Sequence, residues 1–344
     1  MKETNNKRWQ HRPEGSTWGD FGDDDQLGRL NLITPEKVLQ GIAEVKLGRT
    51  FCLSLPLDLP GGNFLNPRRH PPRLQPTRAG HTPRWMYQVG DDVEGATDVI
   101  NDDVAVIHLQ YSSQWDSFAH AGSVFDVDGS GVRQPVFYNG YRGGVELPQA
   151  SAEGYWYSSG AKRLGIENFA THGIQGRAVM IDLHHHFGDE RVAVGYEQLM
   201  RILEQDKVVV EKGDMVLLHT GFASQLLRWA GKPDPEAIHK ICPVLDGRDP
   251  KLLQWITDTG VAALIADNYA VEDAGAGKPI GPCATMPLHE HCLFKLGVPL
   301  GEIWLLGELA QWLRENQRSR CLLTAPPLRL PGAVGSPVTP IATV

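Results

Sequence analysis

The chain is expected to fold as an α/β domain. Three observations carry that expectation. Short apolar runs alternate with segments of helical period, turn residues separate them, and no repeat or Gly/Ser linker divides the chain. One domain spanning residues 1–344 is therefore expected, with long surface loops and wrapping segments at both ends.

The elements follow in order. "LITPEKVLQGIAEVKLG" predicts a helix: Thr34 caps it, Pro35 suits its first turn, and Val38, Ile42 and Val45 share a face. Residues 60–95 are rich in Pro and Arg and read as an irregular surface excursion, a type of loop that often acts as a lid. "DDVAVIHLQY" predicts a strand through Val104, Val106 and Ile107. "GRAVMIDL" (176–183) and "GDMVLLHTGF" (213–222) predict buried strands. "GVAALIADNYAVE" (260–272) is ambiguous in its first half, and its polar end suggests a strand leading into a site. "YEQLMRILEQ", "ASQLLRWAG", "DPKLLQWITDTG", "PLHEHCLFKLG" and "LGELAQWLREN" predict helices. The Pro-rich tail "LLTAPPLRLPGAVGSPVTPIATV" predicts an edge strand plus a wrapping segment.

Composition narrows the function. Hydrophobic residues make up 41% and charged residues 22%, which is globular. The formal charge is −8 and no basic run occurs, so nucleic acid is not an expected partner. No apolar window approaches the roughly eighteen residues of a membrane span, and "MKETNNKRWQHRPEGS" lacks the apolar stretch of a signal peptide. Five scattered cysteines without a CxxC pair argue against a disulfide framework or a cysteine zinc site. A reducing, cytoplasmic compartment is expected.

"HLQYSSQWDSFAH" (108–120) is the stretch richest in chemistry. Strand alternation would put His108, Gln110, Ser112 and Gln114 on one face, with Asp116 continuing the parity and His120 four residues on. Asp116 and His120 could bind a divalent metal; equally, this is a hydrogen-bonded strand end with Asp116 capping a turn. "MPLHEHCLFKLGVPLGEIW" adds His289, His291 and Glu302, with an ordinary helix start as the alternative. "ADNYAVED" adds Asp267 and Glu272. Trp115 and Phe118 would shape a pocket wall or pack in the core. Tyr138 and Asn139 would reach the site or form a turn. His184, His185 and His186 read as a solvated turn, Cys283 and Cys292 lack a base at motif spacing, and "GAGKP" (275–279) lacks the spacing of a phosphate loop.

These residues resemble the cyclase family that includes kynurenine formamidase and isatin hydrolase. The family's H-x-G-T-H-x-D-x-P-x-H is matched by Q-Y-S-S-Q-W-D-S-F-A-H, residues 110–120. "WGDFGDDDQLGRLNLITPEKV", "FYNG", "ADNYAVE", "LHEHCLFKLGVPLGE" and "GAVGSPVTPIA" extend the likeness over most of the chain. The resemblance implies a swivelling β/β/α fold around a central mixed sheet, in homo-oligomeric dimers or tetramers. It also implies metal ligands. In metal-binding relatives the first two histidines and the Asp hold one metal, and the Asp, the next His, a later His and a later Glu hold a second. Here Gln110 and Gln114 replace the first two histidines, and glutamine is a poor ligand. Asp116, His120, His289 and Glu302 keep the second set. One zinc or manganese ion is expected there, or no metal at all.

The leading expectation is a metal-dependent hydrolase of amide or lactone bonds in a small cyclic or aromatic substrate, with a metal-activated water as nucleophile. Asp116 and His120 are the catalytic candidates. Gln110, Gln114, Trp115 and His219 are candidates for binding substrate, and His219 is equally a core histidine. Arg68, Arg69 and Arg73 could hold a substrate carboxylate or stand solvated. Two rivals remain. One is a metal-independent lyase, dehydratase or isomerase using His120 as general acid or base. The other is a binding protein of the same fold without catalysis.

Overall fold

The computed structural model describes residues 7–149, 160–275 and 281–344. Eleven strands matter here: β1 (Thr50–Cys52), β2 (Arg73–Pro76), β3 (Asp103–Val106), β4 (Gln114–Asp116), β5 (Gln175–Asp182), β6 (Met215–His219), β7 (Ala263–Ala266), β8 (Leu300–Glu302), β9 (Arg320–Thr324), β10 (Gly335–Pro337) and β11 (Ile341–Thr343). Nine of them form one mixed sheet in the order β1-β11-β9-β5-β6-β7-β8-β4-β10.

Its centre, β5 to β8, is parallel. These strands are continuous apolar runs because helices cover such sheets on both faces. Helices Tyr196–Gln205, Phe222–Trp229, Pro250–Thr259 and Gly307–Glu315 stand where the sequence predicts them. The flanking strands pair antiparallel. β10 and β11 lie toward opposite ends of the hydrogen-bonded order, yet only residues 338–340 separate them in the chain. Such a link spans at most about 13 Å at some 3.3 Å per residue, so the sheet must curl until its ends approach. The mixed α/β architecture expected from the sequence is present.

Four local expectations need correction. Helix Pro35–Ala43 is capped by Thr34, whose Oγ1 accepts from Lys37 N–H, but it buries Lys37 and Gly41 while Ile42 is half exposed. Lys37 reaches the buried Asp214 carboxylate, and Gly41 lies against the Gly176 backbone where a Cβ would sit 2.7 Å away. Apolar periodicity therefore placed Val38, which packs against the core, but misplaced Ile42. The 60–95 excursion is not irregular throughout: β2 pairs with β3, and Arg78–Ala79 pairs with Thr82–Pro83, so part of it is a β-ribbon with exposed strands. "DDVAVIHLQY" is thus the ribbon strand β3, which ends at Val106 and is separate from β4. The three histidines 184–186 lie in a helical turn, Leu183–Phe187. Among the described residues, no helix is long and apolar enough to cross a membrane.

Candidate metal centre

The carboxyl ends of the parallel strands carry Asp182, His219, Asp267 and Glu302 in succession across the sheet. Crevices outside such ends are where open α/β sheets hold ligands. Glu302 closes β8, and the antiparallel register sets it opposite Gln114 on β4. Alternation then points Gln114 and Asp116 to the same side and Trp115 to the other. His289 arrives from a helical turn, Pro287–His289, that runs straight into a π-helix over Glu290–Leu296.

These residues converge. One ligand atom each of Asp116, His289 and Glu302 lie within 4.8 Å of one another, and all three side chains are buried. His289 Nε2 is 3.2 Å from Glu302 Oε1 and 4.0 Å from Asp116 Oδ2. On the other side of the ring, Nδ1 is 2.9 Å from Glu272 Oε1. Burial disfavours the imidazolium, but hydrogen bonds to Glu272 and Glu302 outweigh it and push the pKa up to about 10. The field that holds this proton would also attract a divalent cation. Among the described residues, no Lys or Arg pairs with Asp116, Glu272 or Glu302.

The two glutamines form a frame around the acids. Gln114 Nε2 donates to Asp116 Oδ1 (3.3 Å) and to Glu302 Oε2 (3.2 Å), tying two carboxylates of like charge together. Gln110 Nε2 donates to Asp116 Oδ1 and lies 2.9 Å from His120 Nδ1. Gly335 on β10 makes room for it, since a Cβ there would come within 2.5 Å of Gln110 Cγ. Arg69 fixes the loop from outside by donating to the Gln110 carbonyl. Gln114 therefore has both amide N–H groups on carboxylates, while Gln110 has one on Asp116 and its Nε2 beside His120 Nδ1. Asp116 Oδ2 and Gln114 Oε1 are both buried and have no hydrogen-bond partner. A buried carboxylate oxygen without a partner is costly, and this one faces His120 Nε2 and His289 Nε2 at 4.0 Å each.

The remaining candidates fall elsewhere. His120 lies beside the trio, a quarter exposed, on the wall of an open cleft of about 850 Å³ that also meets His289. Trp115 does not line that cleft; it is sealed in the core against Trp304, its Nε1–H donating to the Ala325 carbonyl. Phe118 packs on Tyr138 and Phe169. His219 does not face the cleft either. Its Nδ1 is 2.7 Å from Asp182, and its Nε2 is 4.0 Å from Asp267. Asn139 donates to the carbonyls of Gly22, Asp23 and Asp25, and Tyr138 donates to Asp25, so both fasten the N-terminal segment. Arg68 contacts Asn66, and Arg73 is exposed on the ribbon. Cys292 is buried, and burial drives its thiol pKa upward, away from reactivity. Most of "GAGKP" lies outside the described residues.

His291 points away from the trio, with Nε2 2.9 Å from Thr257 Oγ1. Burial, helped by Lys295, pushes its pKa down from 6.5 to about 4. The unfolded chain thus takes up a proton that the folded chain refuses. This residue's contribution to stability is present above pH 6.5 and is lost as pH falls toward about 4. His291→Gln should therefore lose less melting temperature between neutral pH and pH 4 than the wild type. Parallel losses in thermal scans would contradict this.

A family model described as "Putative cyclase" matches residues 53–273, nearly two thirds of the chain. The chain belongs to this cyclase family. His289 and Glu302 lie beyond the matched span; the chain is also similar, over 96% of its length, to a solved cyclase. That crystal structure, described as a novel cyclase, is 31% identical with a TM-score of 0.73, covering 96% of this chain and 97% of its own. The fold is also that of isatin hydrolase A from Ralstonia solanacearum (14% identity, TM-score 0.55, 90% and 97% covered). Isatin hydrolase A from Labrenzia aggregata, solved with benzyl benzoate, is similar (13%, 0.53, 89% and 97%). No curated protein sequence matches. Within this cyclase-family chain, the sequence named Glu272 among its polar candidates but not its contact with His289, nor the Gln110–His120 contact. The only signal for Glu272 was the polar end of "ADNYAVED".

Proposed function

We propose that this cyclase-family chain hydrolyses amide or lactone bonds in a small cyclic or aromatic substrate, using one divalent zinc or manganese ion. The observation that carries the reading is the orphaned Asp116 Oδ2, aimed at His289 Nε2 with Glu302 beside it. Asp116, His289 and Glu302 would hold the ion; two carboxylates and one neutral imidazole suit a divalent charge. Such an ion supplies an acidified water and polarises an acyl oxygen.

The chain's own groups supply the rest. Gln110 Nε2 lies 2.9 Å from His120 Nδ1, and the other ring nitrogen, Nε2, stands 4.0 Å from Asp116 Oδ2. His120 lies outside the close cluster of Asp116, His289 and Glu302, so it is assigned to proton transfer instead of to the ion. In hydrolysis a bond forms from water oxygen to acyl carbon, and the bond to the leaving nitrogen or oxygen breaks. His120 Nε2 takes the proton shed by water and passes it to the leaving atom. Val136, Phe137 and Met286 line the cleft and suit a flat apolar ring.

Protein purified without added metal should carry about one equivalent of Zn or Mn, lost in His289→Ala, as its ligand role requires. It should turn over members of a panel of lactones, cyclic imides and N-formyl anilines. Turnover by protein free of metal would overturn the metal reading and favour the lyase, dehydratase or isomerase alternative.

A further inference from the structure

We propose that Glu272 is the positioning residue of this site: it sets the orientation of His289 without itself facing the cleft. This deepens the reading of the cation site and rests on it. Three N–H groups converge on the Glu272 carboxylate. Leu288 N–H reaches Oε2 at 3.0 Å, and His289 N–H reaches Oε1 at 2.9 Å. His289 Nδ1 lies 2.9 Å from the same Oε1. One side chain thus fixes both the main chain and the ring of His289. With Nδ1 committed to Glu272, only Nε2 can face Asp116 and Glu302. Outer partners of this kind set tautomer and orientation in histidine metal sites.

The backbone around Glu272 is built for this placement. Ala270 (φ 72°) and Val271 (φ 59°) are left-handed, a region that β-branched residues rarely occupy. Such outliers persist only where the surroundings over-determine them, and they gather at functional sites. Here Leu245 pins both flanks: its N–H donates to the Val271 carbonyl at 3.1 Å, and its carbonyl accepts from Asp273 N–H at 3.0 Å. Gly247 leaves the space the carboxylate fills, since a Cβ there would stand 2.0 Å from Glu272 Oε2. The side chain is 1% exposed, so solvent cannot replace it. A carboxylate is required because an amide offers one acceptor oxygen and turns its NH₂ toward a donor.

The test is a competition titration of Zn²⁺ against a chromophoric chelator, with ring ¹⁵N spectra of His289 alongside. Glu272→Gln should weaken Zn²⁺ binding by roughly 10–100-fold. The Nδ1 proton should also lose its fixed position. Unchanged affinity, or an Nδ1 proton held as firmly in Glu272→Gln as in the wild type, would overturn the proposal. A wild type that binds no Zn²⁺ would sink the cation reading by itself. The spectra then decide alone, and an Nδ1 proton held as firmly in Glu272→Gln as in the wild type refutes the positioning role. If Glu272→Gln does not fold, Gly247→Ala carries the same readouts by displacing the carboxylate.

Discussion

Asp116→Asn is expected to abolish turnover without unfolding the protein. The change preserves shape and keeps an oxygen for the Gln110 and Gln114 donors. It removes the charge at the orphaned position and puts an NH₂ there. Turnover of any substrate found in the panel should fall by about 10³-fold, the upper end of what one preorganised electrostatic group contributes. Metal content should fall with it. The metal-free variant should melt no lower than the metal-free wild type, because one of three clustered buried carboxylates has been neutralised. A stable variant with wild-type turnover would remove Asp116 from the chemistry. A large fall in melting temperature would instead assign it a structural role.

The largest loss of stability should come from the other end of the sheet. Asp214 is fully buried just before β6 and accepts from Arg177 at 2.8 and 3.0 Å, from Lys37 at 3.1 Å and from Glu211 N–H at 2.8 Å. Asp214→Ala leaves two buried cations with only the partly exposed Glu211 as partner. Removing one member of a buried ion pair destabilises by about 3–5 kcal/mol. Denaturant unfolding should show that loss, while metal content stays at the wild-type level because the site lies at the opposite strand ends. Loss of the metal in a folded Asp214→Ala protein would refute this separation.

These two acids illustrate what the sequence could reveal. The parallel core was legible because strands buried on both faces are near-continuous apolar runs, as in "AVMID" and "MVLLH". Asp116, His289 and Glu302 were legible because their residue types matched a family motif, although about 170 residues separate the two halves. The ribbon β2–β3 was hidden because Pro and Arg obscure a strand that buries nothing. Helix Pro35–Ala43 was only partly legible: Val38 packs inward as its period implies, but the most buried side chain is a lysine whose partner lies 177 positions on. Trp115 was misplaced for a simpler reason: it neighbours two site residues in sequence, and in a strand that sends it to the far face. Glu272 was legible as one acid of a polar strand end, but its contact with His289 carries no periodic signal.

The link between β10 and β11 also bears on how the protein is made. β10 pairs with β4, β11 pairs with β1 and β9, and these pairings join residue 335 to residue 116 and residue 343 to residue 50. A ribosome delivers residues 335–343 long after β1 and β4 have emerged. Until then both strands carry unpaired edges, the kind that template association between nascent chains. Contacts this distant in sequence close slowly. Residues 335–343 thus act as a clasp at both ends of the sheet, and a chain released before they are synthesised keeps its edges open to its neighbours.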